Sequence, residues 1–309
     1  MKKMLALLLA LVMVLSLAAC ASSQPAAAST ETAETTEAAE PAAEESAEAP
    51  AESGKTYTVG VCQLVQHEAL DAATQGFVDA LKEELGDAVT VDVQNASGDS
   101  VNCGTIVNGF VSKGVDLIMA NATPALTAAV SATADIPILG TSITAYGVAL
   151  DIDDFNGTVG GNVSGTSDLA DLQAQAQMIL DWFPETKTVG LLFCSAEPNS
   201  RYQIDEVRKA LEAQGVTCEE FAFTDSNDVS SVTQKAADFS DVVYIPTDNT
   251  AASNTEAIAN VLIPAGVPAV CGEEGLCRGC GVATLSISYY DLGVTTGKMA
   301  AKILKGEAN

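Results

Sequence analysis

Five short polar runs each follow a stretch rich in β-forming residues. They are Gln63 to Glu68, Asn121-Ala122-Thr123-Pro124, Ser195-Ala196-Glu197-Pro198-Asn199-Ser200, Pro246-Thr247-Asp248-Asn249-Thr250 and Gly272-Glu273-Glu274. Each run is placed to start a helix, and free N–H groups at a helix start attract a carboxylate. A Glu or Asp in the same turn can hold an ammonium group. Donor-rich helix starts beside acidic loops therefore suit a zwitterion such as an amino acid. Gln66, His67, Thr123, Glu197, Asn199, Ser200, Asp248, Asn249 and Glu273 are the candidate contacts. The alternative for Thr123, Ser200 and Asp248 is capping alone, with Pro124 at the first helical position behind Thr123. His67 reads either as a cleft residue or as a helix cap.

Seven cysteines beyond Cys20 invite other chemistry: Cys62, Cys103, Cys194, Cys218, Cys271, Cys277 and Cys280. The last three form C-x₅-C-x₂-C, a hint of zinc or iron–sulfur, but no neighbouring His or second CxxC completes a closed site. Seven cannot all pair within one chain, so buried thiols or one disulfide are expected, and no metal. There is no Walker lysine motif, GxSxG elbow or dinucleotide fingerprint. The paired acids Glu83-Glu84 and Glu219-Glu220 read as solvated faces. Trp182 and Phe183, before Pro184, read as core. Tyr289 and Tyr290 fit an aromatic wall or ordinary packing equally.

The elements that must position the polar runs alternate. Strand candidates are Thr56–Cys62, Val89–Asn95, Val115–Ala120 and Ile136–Gly140, then Thr188–Cys194, Val216–Phe223, Asp241–Pro246 and Val267–Cys271. Helical stripes run through Leu70, Ala73, Phe77 and Leu81, through Leu169, Leu172, Ala176 and Ile179, and through Ile204, Val207 and Leu211. Strands alternating with helices imply parallel sheets covered on both faces. The rhythm occurs twice, once before about residue 145 and once after about residue 168. Between the two lies Asn156-Gly157-Thr158-Val159-Gly160-Gly161-Asn162, a composition that suits a crossing or hinge. Two doubly wound, Rossmann-like α/β lobes would face a shared cleft with the carboxyl ends of their strands.

The chain has 309 residues and a formal charge of −27, from 41 acidic and 14 basic side chains. That balance excludes a nucleic-acid binder, which needs a basic face. It is also uneven. Lys2 and Lys3 precede the apolar run Met4 to Leu15, too short to span a bilayer, which needs about 20 residues. Leu17-Ala18-Ala19-Cys20 then resembles the lipobox of bacterial lipoproteins. Residues 1–19 are thus expected to be a signal peptide and Cys20 to carry a lipid; an ordinary secretory signal with a chance Cys is the alternative. Residues 20–54 hold the lipidated Cys and a tether of Ala, Glu, Ser, Thr and Pro without Leu, Ile, Val or aromatics, a composition that cannot build a core. The working part, Lys55 to Asn309, retains −21 (33 acidic, 12 basic).

Val65-Gln66-His67-Glu68-Ala69-Leu70-Asp71-Ala72-Ala73 with Gln75-Gly76-Phe77 resembles the opening of one solute-binding family. Further matches are Gln94-Asn95-Ala96 with Gly98-Asp99, Ala122-Thr123-Pro124-Ala125, Gly161-Asn162-Val163-Ser164-Gly165-Thr166-Ser167-Asp168, Pro246-Thr247-Asp248-Asn249-Thr250, and Tyr289-Tyr290-Asp291-Leu292-Gly293 with Thr296-Gly297-Lys298-Met299. The ordered set resembles the ABC transporter substrate-binding lipoproteins typified by tryptophan- and tyrosine-binding components. The resemblance implies a type I periplasmic-binding-protein-like fold whose lobes close on a ligand, and adds Asp168 to the candidates. Gln66 and Glu68 stand where the family more usually shows Glu and Pro, and Ser288 where it often shows Asp. Family members usually continue for about another strand and helix beyond Gly306, which implies a shortened C-terminus.

The expected organisation is an N-terminal lobe over 55–145, with a helix at 289–306 returning to it, and a hinge and C-terminal lobe over 146–288. The expected function is a membrane-tethered, extracytoplasmic solute-binding component of an ABC importer, delivering a small amino-acid-like ligand to a permease and its ATPase. No catalysis, no cofactor and no nucleic acid are expected, and the protein is expected to be monomeric. The alternative is a ligand-sensing receptor without a transport role.

Overall fold

The computed structural model describes residues 54–308. The apolar leader, Cys20 and all of the tether before Gly54 lie outside the described residues. Among the described residues, no helix is long and apolar enough to cross a membrane.

The first lobe begins β1 (Tyr57–Gln63), α1 (Glu68–Leu85), β2 (Val89–Asn95), α2 (Ser100–Lys113), β3 (Leu117–Asn121), α3 (Thr123–Ala132), β4 (Ile138–Ile143), the short α4 (Tyr146–Ala149) and β5 (Val163–Ser167). Its five strands are all parallel, in the order β2-β1-β3-β4-β5. The second lobe follows with α5 (Leu172–Trp182), β6 (Thr188–Cys194), α6 (Pro198–Glu212), β7 (Thr217–Phe223), α7 (Val229–Phe239), β8 (Val242–Ile245), α8 (Asn249–Ala252), α9 (Thr255–Ala265), β9 (Ala269–Cys271), α10 (Glu274–Cys280) and β10 (Ala283–Thr284). Its order is β10-β9-β8-β6-β7, again all parallel. The last helix among the described residues is α11 (Tyr289–Lys305).

Burial explains the strand sequences. Central strands β3, β4 and β8 are buried along their whole length and read as unbroken apolar or small runs. The edge strands β2 and β7 instead carry Asp92, Glu219 and Glu220, which discourages pairing with another chain. The stripe Leu70, Ala73, Phe77 and Leu81 is buried on α1, and Ile204, Val207 and Leu211 on α6.

The last helix docks on α1 at close range. A Cβ at Gly76 would lie 2.1 Å from the Tyr290 carbonyl oxygen, and one at Gly293 would lie 2.0 Å from that of Ala73. Only glycine permits this approach, and it fixes where Tyr289 starts the helix.

Four sequence expectations are corrected. The boundary at residues 145/146 does not separate the sheets, because β5 pairs with β4 and completes the first one. The Gly/Asn-rich stretch at 156–162 is not a crossing. It is a loop at the start of β5, pinned by Asn162 Nδ2 donating to the carbonyls of Thr133 (3.2 Å) and Ile136 (2.7 Å). The chain instead passes between sheets just after β5 and again just before α11. Leu169 lies ahead of α5, which Asp171 caps through the Ala174 N–H at 3.0 Å, and Trp182 is 60% exposed rather than core.

Candidate functional site

The carboxyl ends of both sheets face one another across a narrow, nearly filled cavity of about 10 Å³. That is room for about one water molecule, so an amino acid can enter only if the lobes move apart. From the first lobe come His67, Ser142, Thr144, Asp168 and Tyr289; from the second, Asn199, Thr247, Asp248, Asn249 and Glu273.

His67 sits in the β1–α1 turn, which Gln63 holds. Gln63 Nε2 donates to the Val65 carbonyl (2.8 Å) and to Asp71 (2.7 Å), while the Thr74 hydroxyl donates to Gln63 Oε1 (2.7 Å). The His67 side chain makes no cap bond to α1. Its Nε2 lies 3.2 Å from Asn249 Oδ1, across the cleft. Asn249 Nδ2 donates to Glu197, so its Oδ1 is the acceptor and His67 Nε2 carries the proton. Burial lowers the His67 pKa, keeping the ring neutral and leaving Nδ1 as an acceptor.

Asp168 follows β5 and is buried. Its Oδ2 accepts a 2.8 Å bond from the Tyr289 hydroxyl, and its Oδ1 has no partner in the protein. Burial raises its pKa, with Tyr289 and Thr144 opposing. Asn199 Nδ2 donates to the Thr247 carbonyl (3.1 Å) and to Glu197 (3.2 Å), leaving Oδ1 unpartnered. Ser142 has a buried, unpartnered hydroxyl on a backbone at φ 55°, where the β4–β5 register shifts. A non-glycine residue there is strained, a feature that concentrates at functional sites.

Eight buried side-chain polar atoms lack a partner among the described residues, and four of them belong to this cavity: His67 Nδ1, Ser142 Oγ, Asp168 Oδ1 and Asn199 Oδ1. Three are acceptors. Such groups are costly to bury unless something else satisfies them. A primary ammonium brings three donors, and Ser142 is left to meet a ligand oxygen. No Lys or Arg lines the cavity.

Other candidates are occupied by the protein itself. Asp248 accepts from the N–H groups of Ala251 (2.8 Å, capping α8) and Cys194 (2.6 Å). Burial, then the neighbouring Glu197, pushes its pKa up to about 8. Glu273 borders the cavity but caps α10 through Gly275 N–H (2.6 Å), and burial raises its pKa.

Four expected contacts lie elsewhere. Glu197 accepts from the N–H and side chain of both Asn249 and Thr250, so its carboxylate clamps the start of α8. Ser200 is fully buried behind Asp248. Thr123 is the first residue of α3, makes no cap bond, and lines a separate groove with Pro198. Gln66 is exposed at the cleft mouth, beside Glu68 and Arg278.

Ser142 and Thr144 are the polar cavity residues that sequence reasoning missed, and Tyr289, which it left between aromatic wall and packing, borders the cavity. The polar pair Thr141-Ser142 directly after an expected strand was the available signal for Ser142. A larger groove of about 920 Å³, lined by Trp182, Phe183 and Ile263 at the opposite end of the second sheet, contains none of the unpartnered polar atoms. Among the described residues, no group of three or more His, Cys, Asp or Glu is arranged to hold a metal ion.

Residues 58–309 match the family described as ABC transporter substrate binding protein. A tyrosine-binding protein of Clostridioides difficile (strain R20291) is 32% identical over 263 residues, covering 83% of this chain and 75% of that protein. A crystal structure of an ABC domain from Streptococcus pneumonia in complex with L-Trp superposes with a TM-score of 0.78 at 34% identity, covering 82% of this chain and 86% of that one. The ligand-free, open structure of a Clostridium difficile substrate binding protein with adhesive properties gives a TM-score of 0.59 at 35% identity, with coverage of 82% and 86%. The chain belongs to the ABC transporter substrate-binding protein family and has its two-lobed, type I periplasmic-binding-protein-like architecture.

Proposed function

We propose that this substrate-binding protein captures an amino acid, aromatic by analogy with its tryptophan- and tyrosine-binding relatives, in the cavity between its lobes. The observation that carries this reading is the set of three unpartnered acceptors and one unpartnered hydroxyl around a single interlobe cavity. Asp168, His67 and Asn199 receive the ammonium. The Ser142 hydroxyl meets the carboxylate, and Tyr289 holds Asp168 in place.

Closure of the lobes on the ligand removes it from water, which strengthens each of these contacts. The higher TM-score to the L-Trp complex than to the open, ligand-free relative, at matching identity and coverage, supports reading this conformation as closed. Delivery to a permease and its ATPase follows from the family. Cys20 carries the lipid that holds the protein on the outer face of the membrane, with residues 21–54 as a spacer.

A thermal-shift screen of the twenty amino acids tests the ligand class: at least one raises the melting temperature in a concentration-dependent way. No shift with any of them contradicts an amino-acid ligand.

A further inference from the structure

Cys62 lies near the end of β1 and Cys103 in the first turn of α2, and both are fully buried in one apolar cluster. Cys62 Sγ lies 4.0 Å from the Cys103 carbonyl oxygen, and each thiol perturbs the titration of the other, as close neighbours do. The other five described cysteines, Cys194, Cys218, Cys271, Cys277 and Cys280, all belong to the second lobe. Each thiol of the first lobe therefore has one partner within its own lobe, and the fold has already brought that partner into contact.

We propose that Cys62 and Cys103 are a disulfide-forming pair that ties α2 to β1, beneath the turn that carries His67. Only the meeting with an oxidant in the cell rests on the extracytoplasmic placement above, since disulfides persist in that compartment. The oxidant is a low-molecular-weight disulfide, RSSR. One Cys thiolate attacks it, forming a mixed disulfide and expelling RS⁻. The second Cys thiolate then attacks the protein-bound sulfur, closing the Cys62–Cys103 bond and expelling the second RS⁻. Two protons leave the cysteines and end on the two released thiols, so one disulfide is reduced and one is formed.

Burial seals the folded pair from solvent, so the bond forms while α2 is docking. The bridge spans 41 positions, and restricting an unfolded loop of that length is stabilising.

The test is to unfold the reduced full chain, refold it with oxidised glutathione or with dithiothreitol, alkylate free thiols, and map peptides without reduction. The expected result is a Cys62–Cys103 linked peptide, lighter than its two free-thiol parts by two hydrogens. It comes with a melting temperature on the order of 5–10 °C above that of the dithiothreitol sample. Cys103→Ala gives neither the link nor the rise; should that variant not fold, the wild-type peptide map stands alone. Recovery of Cys62 and Cys103 both alkylated from the glutathione-refolded protein overturns the proposal, as does Cys62 linked to a second-lobe cysteine. Ligand binding is not read, so failure of the transport reading leaves this result unaffected.

Discussion

The Tyr289 hydroxyl donates to Oδ2 of Asp168 at 2.8 Å, joining the start of the last helix to the residue just beyond the last strand of the first sheet. One carboxylate oxygen is fixed from behind while the other is left with no partner in the protein. Because α11 is held against α1 through Gly76 and Gly293, the position of this carboxylate is set by helix packing some distance from the cleft.

Asp168→Asn keeps the shape and removes the charge that faces the ligand. Affinity is expected to fall by about 2–4 kcal/mol, roughly 30- to 1,000-fold, as when one partner of a buried charged contact is lost. Tyr289→Phe removes only the positioning bond, and about 1 kcal/mol is expected. Calorimetry on both variants, with melting curves to confirm folding, checks the order of the two effects.

The pH dependence of binding has a definite sign. Burial raises the Asp168 pKa, so its carboxyl is protonated over a wider range than an exposed one. Only the ionised form pairs with an ammonium, so affinity is expected to increase as pH rises through this elevated value. Calorimetry from pH 4 to pH 8 reads this, and Asp168→Asn flattens the profile.

Stability of the ligand-free protein runs the other way. Asp248 is pushed up to about 8 by burial and by Glu197, against about 3.9 when unfolded. An acid raised on folding contributes stability that is fully present below its unfolded pKa and is lost as pH rises through its folded one. The melting temperature of the ligand-free protein is therefore expected to fall between about pH 4 and pH 8, and Asp248→Asn to reduce that slope.

Asp248→Ala acts on the fold as well as on the cavity. Both oxygens serve backbone N–H groups, those of Ala251 and Cys194, and both would be left without their acceptor. A loss of about 2–3 kcal/mol is expected, on the order of 5–10 °C in melting temperature. An unchanged melting curve would show that α8 does not depend on this cap.

Arg278 of the second lobe pairs with Glu68 of the first and with Glu274 beside it. All three side chains are at least half exposed, so the pair contributes little to folding, but it bridges the two lobes and is expected to break when they part. Arg278→Ala is expected to speed ligand release by roughly two- to five-fold at low ionic strength, and less in high salt, in stopped-flow measurements.

The sequence marked some of this site clearly. The stripe on α1 was legible because one face of that helix is buried, and the turns after β1, β6, β8 and β9 were legible because parallel strands must end before a helix begins. What spacing cannot show is which way a side chain points in a turn. Glu197 and Asp248 stand in equivalent turns, yet Glu197 turns to clamp α8 while Asp248 borders the cavity. Ser142 depends on an irregular strand end with positive φ, which leaves no periodic trace. Tyr289 was visible as an aromatic beside the expected cleft, but its bond to Asp168 depends on the docking of α11, a contact more than 200 residues from α1 in sequence. The fifth strand, Val-Ser-Gly-Thr-Ser, is too polar and too exposed to read as a strand, and so the first lobe seemed to end early.

Calorimetric titration of the full chain with L-tryptophan and L-tyrosine, repeated on Asp168→Asn, tests the central claim most directly. Saturable one-to-one binding of at least one of them, weakened at least about 30-fold in the variant, is the expected result. Equal affinity in the two proteins, or no binding of either amino acid to the wild type, would contradict it.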